Sequence, residues 1–268
     1  MNRAQRTTIA GSHGAIVVHE WDVAVPTWTA VLVHGYGEHL GRYDHVADRL
    51  NTAGALVLGP DHQGHGLSDG ERVAITDFES VVDDLDAVVS RATAAHPNVP
   101  VVMIGHSLGG MIAARYAQRR GDRLTALVLS GPVLGSWEPT SLADLEEIPD
   151  DPLDVSTLSR DAAVGQAYTA DPLVWHGPFK RPMLRAIAST LDTINHDGDL
   201  GDLPTLWVHG SADALVPIGP TRAGITTIRG THMHEIVYDD ARHEVFNETN
   251  NDAVLGDVVA FATTAIER

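Results

Sequence analysis

The chain has 268 residues, 43% of them hydrophobic, with no cysteine, a formal net charge of −18, and glycine and proline spread along its length. That length suits one large domain carrying an insertion, and the composition is globular rather than disordered. The acidic surplus argues against nucleic acid and anionic membrane surfaces as partners, the missing cysteines exclude disulfide and thiolate chemistry, and no apolar run reaches membrane-spanning length. The stretch Met1 to Ala10 lacks the apolar centre of a signal peptide, which together with the absent cysteines predicts a cytoplasmic protein.

Ala15 to Trp21 reads as an early, partly alternating strand in the antiparallel start of a sheet. Thr29-Ala30-Val31-Leu32-Val33 is a β-branched strand that runs into the turn His34-Gly35-Tyr36-Gly37-Glu38-His39. Ala55 to Leu58 is a buried strand leading to the Pro60-Asp61 loop, where His62 and His65 sit among glycines and are expected to shape the turn. Thr76 and Glu79 fit a capping box for a helix whose apolar face is Phe78, Val81, Val82, Leu85 and Val89.

Val99-Pro100-Val101-Val102-Met103-Ile104, followed directly by Gly105-His106-Ser107-Leu108-Gly109-Gly110, reads strand, tight turn, helix, with Ser107 at the apex. This is the Gly-x-Ser-x-Gly nucleophile elbow. The strained turn projects the serine hydroxyl above the sheet edge, so the residues two positions either side must be small, as Gly105 and Gly109 are. The Leu108 amide then sits at a helix N-terminus, where unpaired N–H groups and the helix dipole favour a developing negative charge. The His-Gly turn after the third strand supplies the opposing oxyanion-hole amide, assigned to the N–H of Tyr36. The competing reading is an ordinary glycine-rich turn with a buried serine. The following helix has apolar positions at Leu108, Met111, Ile112, Ala114 and Ala117, with Gly121 as its C-cap.

Leu124 to Leu129 is the next strand. The periodicity then changes between Leu134 and Asp202, where no strong strand occurs and helical patterns appear around Arg160 to Tyr168 and Met183 to Ile194. Lying between two core strands, this stretch reads as a cap. Its first part, Glu138 to Asp154, holds seven acidic residues and no basic ones, and is expected to be a solvated acidic loop. The division is therefore core in 1–133, cap in 134–202 and core again in 203–268.

A bare serine is a poor nucleophile, so a base and an orienting acid are required, in the chain order Ser, Asp or Glu, His. Pro204 to Gly210 is a strand ending in Gly210-Ser211-Ala212-Asp213, and Glu235 to Tyr238 is a strand followed by Asp239-Asp240-Ala241-Arg242-His243. Asp213 and His243 thus leave C-terminal strand ends, where an open α/β sheet gathers its reactive groups. Asp239 and Asp240 compete for the acid's role, but they lie too close in sequence to His243 to face its ring easily. His232 and His234 could suggest a metal pair, but no third ligand of suitable spacing accompanies them. Ala253 to Ile266 reads as a terminal helix.

His34 to Tyr43, Pro60-Asp61-His62-Gln63-Gly64-His65-Gly66-Leu67-Ser68-Asp69-Gly70, the serine elbow, Tyr168-Thr169-Ala170-Asp171-Pro172-Leu173-Val174 and His243-Glu244-Val245-Phe246-Asn247-Glu248 together resemble the monoacylglycerol lipases, in register and spread over most of residues 9 to 268. The resemblance implies an α/β-hydrolase fold, with a mostly parallel central sheet flanked by helices and a helical cap insertion. It also implies cleavage of glycerol monoesters of fatty acids, a polar glycerol end that carries over to Glu38, Arg42 and Tyr168, and at most peripheral membrane contact. A structural ion pair holding the loop is the alternative role for Glu38 and Arg42. The acidic start of the insertion departs from the family, which usually carries a longer apolar helical segment there.

The expected chemistry is acyl transfer to water. His243 accepts the Ser107 proton, Asp213 fixes the imidazole tautomer, and the Tyr36 and Leu108 amides hold the oxyanion, with no cofactor or metal needed. Other readings of the same triad are another carboxylesterase, a lysophospholipase, a cofactor-free haloperoxidase, a peptidase or a carbon–carbon hydrolase. An epoxide hydrolase or dehalogenase needs aspartate at the elbow, which Ser107 excludes. A non-catalytic binding protein on this fold is a further alternative.

Overall fold

Five strands of nearly unbroken apolar character are too hydrophobic to leave either face in water, and the chain stacks them side by side. The computed structural model describes residues 4–268. Its eight strands are β1 (Gln5–Gly11), β2 (Gly14–Trp21), β3 (Trp28–Val33), β4 (Ala55–Pro60), β5 (Val101–His106), β6 (Ala126–Ser130), β7 (Thr205–Gly210) and β8 (Met233–Tyr238). They form one sheet in the order β1-β2-β4-β3-β5-β6-β7-β8. The β1–β2 and β2–β4 pairings are antiparallel, and every other pairing is parallel.

Alternation along the strands divides the core in two. Val31, Val33, Met103, Leu127, Leu129 and Trp207 face one layer, while Ala30, Leu32, Val102, Ile104, Val128 and Val208 face the other. The first layer is closed by α2 (Phe78–Ala95), α3 (Leu108–Arg120), α5 (Arg181–His196) and α6 (Ile218–Ile228). The second is closed by α1 (Asp44–Thr52) and α7 (Asn251–Ile266). The remaining helix is α4 (Ala162–Ala170), which belongs to the insertion.

A local expectation is corrected. The cap of α2 is Asp77 rather than Thr76. Asp77 has extended backbone, and its carboxylate accepts the Glu79 amide at 2.9 Å, a geometry that leaves Thr76 outside the helix entry. Gly121 is the C-cap of α3 as expected, in a right-handed conformation (φ −58°, ψ −28°) that opens a short 3-10 turn. Strand β1 takes up most of the described part of the Met1–Ala10 stretch, whose first three residues are outside those described, and runs on to Gly11. Its polar, half-exposed edge sequence carries little periodic signal, and it is held by pairing with β2. Among the described residues, no helix is long and apolar enough to cross a membrane.

The 134–202 segment is of two kinds. Short 3-10 turns at Glu138–Asp144 and Val155–Thr157 and helix α4 surround a small apolar cluster of their own, Leu158, Tyr168 and Val174. Helix α5 instead buries Met183, Ile187, Leu191 and Ile194 in the same layer as α2 and α3. Pro182 stands in its first turn, where a missing N–H costs nothing.

Candidate active site

Strand β5 ends at His106, and the next residue, Ser107, has φ 54° and ψ −120°. A non-glycine residue in that region is strained and persists only where the surroundings fix it. The two glycines around it supply the fixing. A Cβ on Gly105 would come within 2.4 Å of the Gly109 carbonyl oxygen, and one on Gly109 within 2.0 Å of that of Val33. The strand, the turn and α3 therefore pack backbone to backbone, and Ser107 is held above the sheet edge.

The loop after β7 carries Asp213 and the loop after β8 carries His243. The two loops interlock because Gly210 has no side chain: a Cβ there would lie 2.2 Å from the Ala241 carbonyl oxygen. The Ser211 amide donates to Tyr238 and the Ala212 amide to Ala241, at 3.0 and 2.9 Å. As a result, Ser107 Oγ lies 2.8 Å from His243 Nε2, and His243 Nδ1 lies 2.7 Å from Asp213 Oδ2. All three residues are buried. Asp239 and Asp240 are exposed, and Asp240 turns away in a left-handed conformation with φ 57°.

Burial pushes the Asp213 carboxyl up, but the His243 imidazole, the hydrogen bonds from His209 and His243, and the Val216 amide outweigh it and hold the group well below the usual carboxylate range. For His243, burial acts to lower the pKa, and the Asp213 carboxylate overcomes it, so the imidazole sits above its ordinary value. The adjacent His106 ring, 4.8 Å from that of His243, is pushed down to about 4 by burial and by His243. It stays neutral beside His243, with its Nδ1 3.1 Å from the Ser130 carbonyl oxygen.

Opposite the serine, the turn after β3 brings Gly35 so close that a Cβ would meet the Ser107 Cβ at 3.2 Å. The Tyr36 amide follows this glycine, and the Leu108 amide is the first of α3, among the orphan donors of a helix N-terminus. Glu38 pins the turn by accepting the Gly35 amide and the Tyr43 hydroxyl, each at 2.7 Å. Arg42 bridges Glu38 at 2.5 Å and Glu244 at 2.8 Å through both of its terminal nitrogens, and its guanidinium lies 4.9 Å from the centre of the Tyr168 ring. Glu38, Arg42 and Tyr168 therefore come together at one end of the cavity, with Glu38 and Arg42 already satisfied by protein partners. Glu244 completes that network, although sequence reasoning gave it no role. Its place directly after His243 was the available signal.

The cavity over Ser107 is otherwise apolar, lined by Trp137, Leu153, Leu158, Phe179 and Leu215. The acidic segment is thus more than a solvated loop, since Pro139 and Leu153 from it form part of the wall. A second cavity shares Tyr36, Leu153, Tyr168 and Phe179 with the first and continues past Trp175 and His176. His39 Nε2 meets Asp171 of the insertion at 2.9 Å, tying it to the turn that carries Tyr36. His62 and His65 are buried, lowered to about 3 and about 4 chiefly by burial, and the His62 amide donates to His34 Nε2 at 3.0 Å, so they shape the loop. His234 packs edge-on against Phe261, 5.9 Å between ring centres.

The chain is similar to known hydrolases in sequence and in fold. Residues 24–250 match the family model described as serine aminopeptidase, S33. A monoacylglycerol lipase of Mycolicibacterium smegmatis is 37% identical over 266 residues, covering 95% of this chain and 95% of that protein. A monoglyceride lipase of Mus musculus is 34% identical over 80% of this chain and 75% of its own length. Among solved structures, the monoacylglycerol lipase of Paleococcus ferrophilus superposes with a TM-score of 0.80 at 25% identity, over 92% of this chain and 99% of that one.

Proposed function

The chain belongs to the serine aminopeptidase S33 family of hydrolases, and from that premise we propose that it is a carboxylic ester hydrolase that cleaves monoacylglycerols to fatty acid and glycerol. The reading is carried by one observation, the unbroken hydrogen-bonded series from Ser107 Oγ through His243 to Asp213 beneath an apolar cavity. His243 Nε2 takes the hydroxyl proton as Ser107 Oγ attacks the ester carbonyl carbon. The negative charge that develops on the carbonyl oxygen is received by the Tyr36 and Leu108 amides. Collapse of the tetrahedral intermediate expels glycerol, protonated by the His243 imidazolium, and leaves the acyl group on Ser107. Water, deprotonated by His243, then releases the fatty acid by the same steps in reverse.

In this reading the acyl chain lies along Trp137, Leu158, Phe179 and Leu215, and glycerol faces the polar end at Glu38, Arg42 and Tyr168. Because Glu38 and Arg42 are already paired, their part is to present a fixed polar wall and to hold the Gly35–Tyr36 turn. The segment 134–180 serves as the cap within the 134–202 insertion, with α5 counted to the core. The partners are small ester molecules, and the cysteine-free composition supports a cytoplasmic location. The test is labelling with a fluorophosphonate, followed by a screen of mono-, di- and triacylglycerols. Ser107 is expected to carry the label, Ser107→Ala to take none, and monoacylglycerols to be cleaved fastest. A labelled protein with no activity on any glycerol ester would overturn the substrate, and an unlabelled Ser107 would overturn the mechanism.

A further inference from the structure

Behind the acid of the triad lies a second imidazole that the mechanism above leaves without a role. His209 is in β7 and fully buried, with Trp207 on one side and Asp213 on the other. The Trp207 indole N–H donates to His209 Nδ1 at 3.1 Å. An indole nitrogen can only donate, so Nδ1 presents a lone pair and the ring proton is on Nε2. That Nε2 lies 2.9 Å from the Val216 carbonyl oxygen and 3.3 Å from Asp213 Oδ2. The same Oδ2 meets His243 Nδ1 at 2.7 Å. The reversed tautomer would set two N–H groups against each other at Trp207 and aim a lone pair at both a carbonyl and a carboxylate.

We propose that His209 is a positioning residue for the hydrolytic reaction and that Trp207 sets its tautomer, so that one buried series, Trp207–His209–Asp213–His243–Ser107, orients the base. The proposal rests on the triad reading above. Asp213 Oδ1 accepts the Leu215 and Val216 amides, both at 2.9 Å. Oδ2 is held by His243 at 2.7 Å, with the His209 Nε2–H, whose shorter bond is to the Val216 carbonyl, 3.3 Å away, so rotating the group would give up these contacts. His209 also draws negative charge from the oxygen that stabilises the His243 imidazolium. Removing it has two effects. The carboxylate gains freedom, which lowers kcat, and Oδ2 becomes a stronger partner for the imidazolium, which moves the acid limb of the pH profile upward. The other titratable groups acting on His243 are Glu244, Glu38 and His106, and all three are untouched by the variants below. On the far side, Arg222 stacks over Trp207 at 4.9 Å and pairs with Glu235 at 2.6 Å, outside the series.

The experiment compares His209→Phe, His209→Gln and Trp207→Phe with the unaltered protein, using the pH dependence of kcat and kcat/KM on a water-soluble ester. The downfield proton resonance of His243 Nδ1–H, recorded without substrate, is the spectroscopic readout. His209→Phe should lose about tenfold to hundredfold in kcat, as expected for one hydrogen bond to a charged group, with KM within about twofold. Its acid limb should rise and its downfield resonance should shift. His209→Gln, whose amide can donate toward Oδ2, should recover most of the rate, and Trp207→Phe, which removes the indole N–H together with part of the buried ring, should fall between. If His209→Phe does not fold, the other two variants carry the comparison. The proposal is overturned if Trp207→Phe and the His209 variants keep kcat, acid limb and resonance unchanged. It is equally overturned if activity falls only in proportion to the folded fraction, with no recovery in His209→Gln. Retained activity in Ser107→Ala would bring down the triad reading itself, whereas a labelled Ser107 with unaffected variants brings down this proposal alone.

Discussion

Replacing Arg42 by methionine should cost about 3 kcal/mol of stability at neutral pH, and the cost should disappear in acid. Burial pushes the Glu244 carboxyl up, but the charge of Arg42 and its hydrogen bonds outweigh that, holding it at about 2 against an ordinary 4.5. At about 1.4 kcal/mol per pKa unit, a shift of that size is a contribution of about 3 kcal/mol. The figure agrees with the roughly 3–5 kcal/mol lost when one partner of a buried ion pair is removed and a charge is left without its counter-ion. Glu244 is only 4% exposed, so solvent screening does little to reduce it. The sign follows from the direction of the shift. A depressed carboxylate pKa stabilises the folded chain fully above the unfolded value, near 4.5, and the contribution is lost as pH falls toward 2. For 268 residues, an unfolding entropy of about 2.1 cal/mol/K per residue converts the loss into a drop in Tm of about 5 °C. The assay is thermal unfolding of the unaltered protein and Arg42→Met from pH 7 down to pH 3. The gap in Tm should be widest at pH 7 and should narrow below pH 4.5. A gap that stays constant over the range would mean that Arg42 contributes by packing alone. A gap under about 1 °C at pH 7 would refute the electrostatic account. The Arg42→Met protein should also lose kcat, because Glu38, which pins the Gly35 amide, loses its counter-ion.

Ser107→Ala should abolish turnover while leaving Tm within a few degrees. Asp213→Asn should lower kcat by about 10⁴ by permitting the wrong imidazole tautomer, and full activity in Asp213→Asn would show that another carboxylate orients the base. Since His243 must be neutral to accept a proton and its pKa is raised by Asp213, kcat/KM should fall on the acid side at a pH above the ordinary imidazole value of about 6.5; a limb at or below that value would contradict the coupling. Short- or medium-chain monoesters dissolved in water should be preferred over long-chain monoacylglycerol in anionic vesicles, because the segment Glu138 to Asp154 puts acidic groups, with only Leu145 and Leu153 exposed among its large apolar residues, where a docking surface would form. Comparing kcat/KM across chain lengths with and without vesicles checks this, and acceleration of long-chain substrates by anionic vesicles would refute it.

Strand–turn–helix patterns are local, and the sequence alone was sufficient for them. The apolar runs that became β3 to β7, the glycines flanking Ser107 and the turn at Gly35-Tyr36 are dictated by burial of two-faced strands and by backbone approaches that only glycine permits. The chain order of Ser107, Asp213 and His243 was legible for the same reason, since each follows a recognisable strand. What the tertiary structure decided is which polar groups meet. Asp213 faces His243, and Asp239 and Asp240 do not, only because Gly210 lets the two loops interlock. The Arg42–Glu244 pair joins residues 202 positions apart, and no periodicity reports on such a contact. Asp77 displaced Thr76 as the cap of α2, and α5 joined the core layer of α2 and α3, because these choices depend on how neighbouring elements pack. The same holds for His209, one of 15 histidines in the chain and unmarked by its sequence. Trp207 neighbours it two residues back on the same strand face, whereas Asp213 reaches it only through the bend of the loop after β7. A hydrogen bond has a range of about 3 Å, so its partners are set by the packed fold, whereas strand and turn propensities are already present in the unfolded chain.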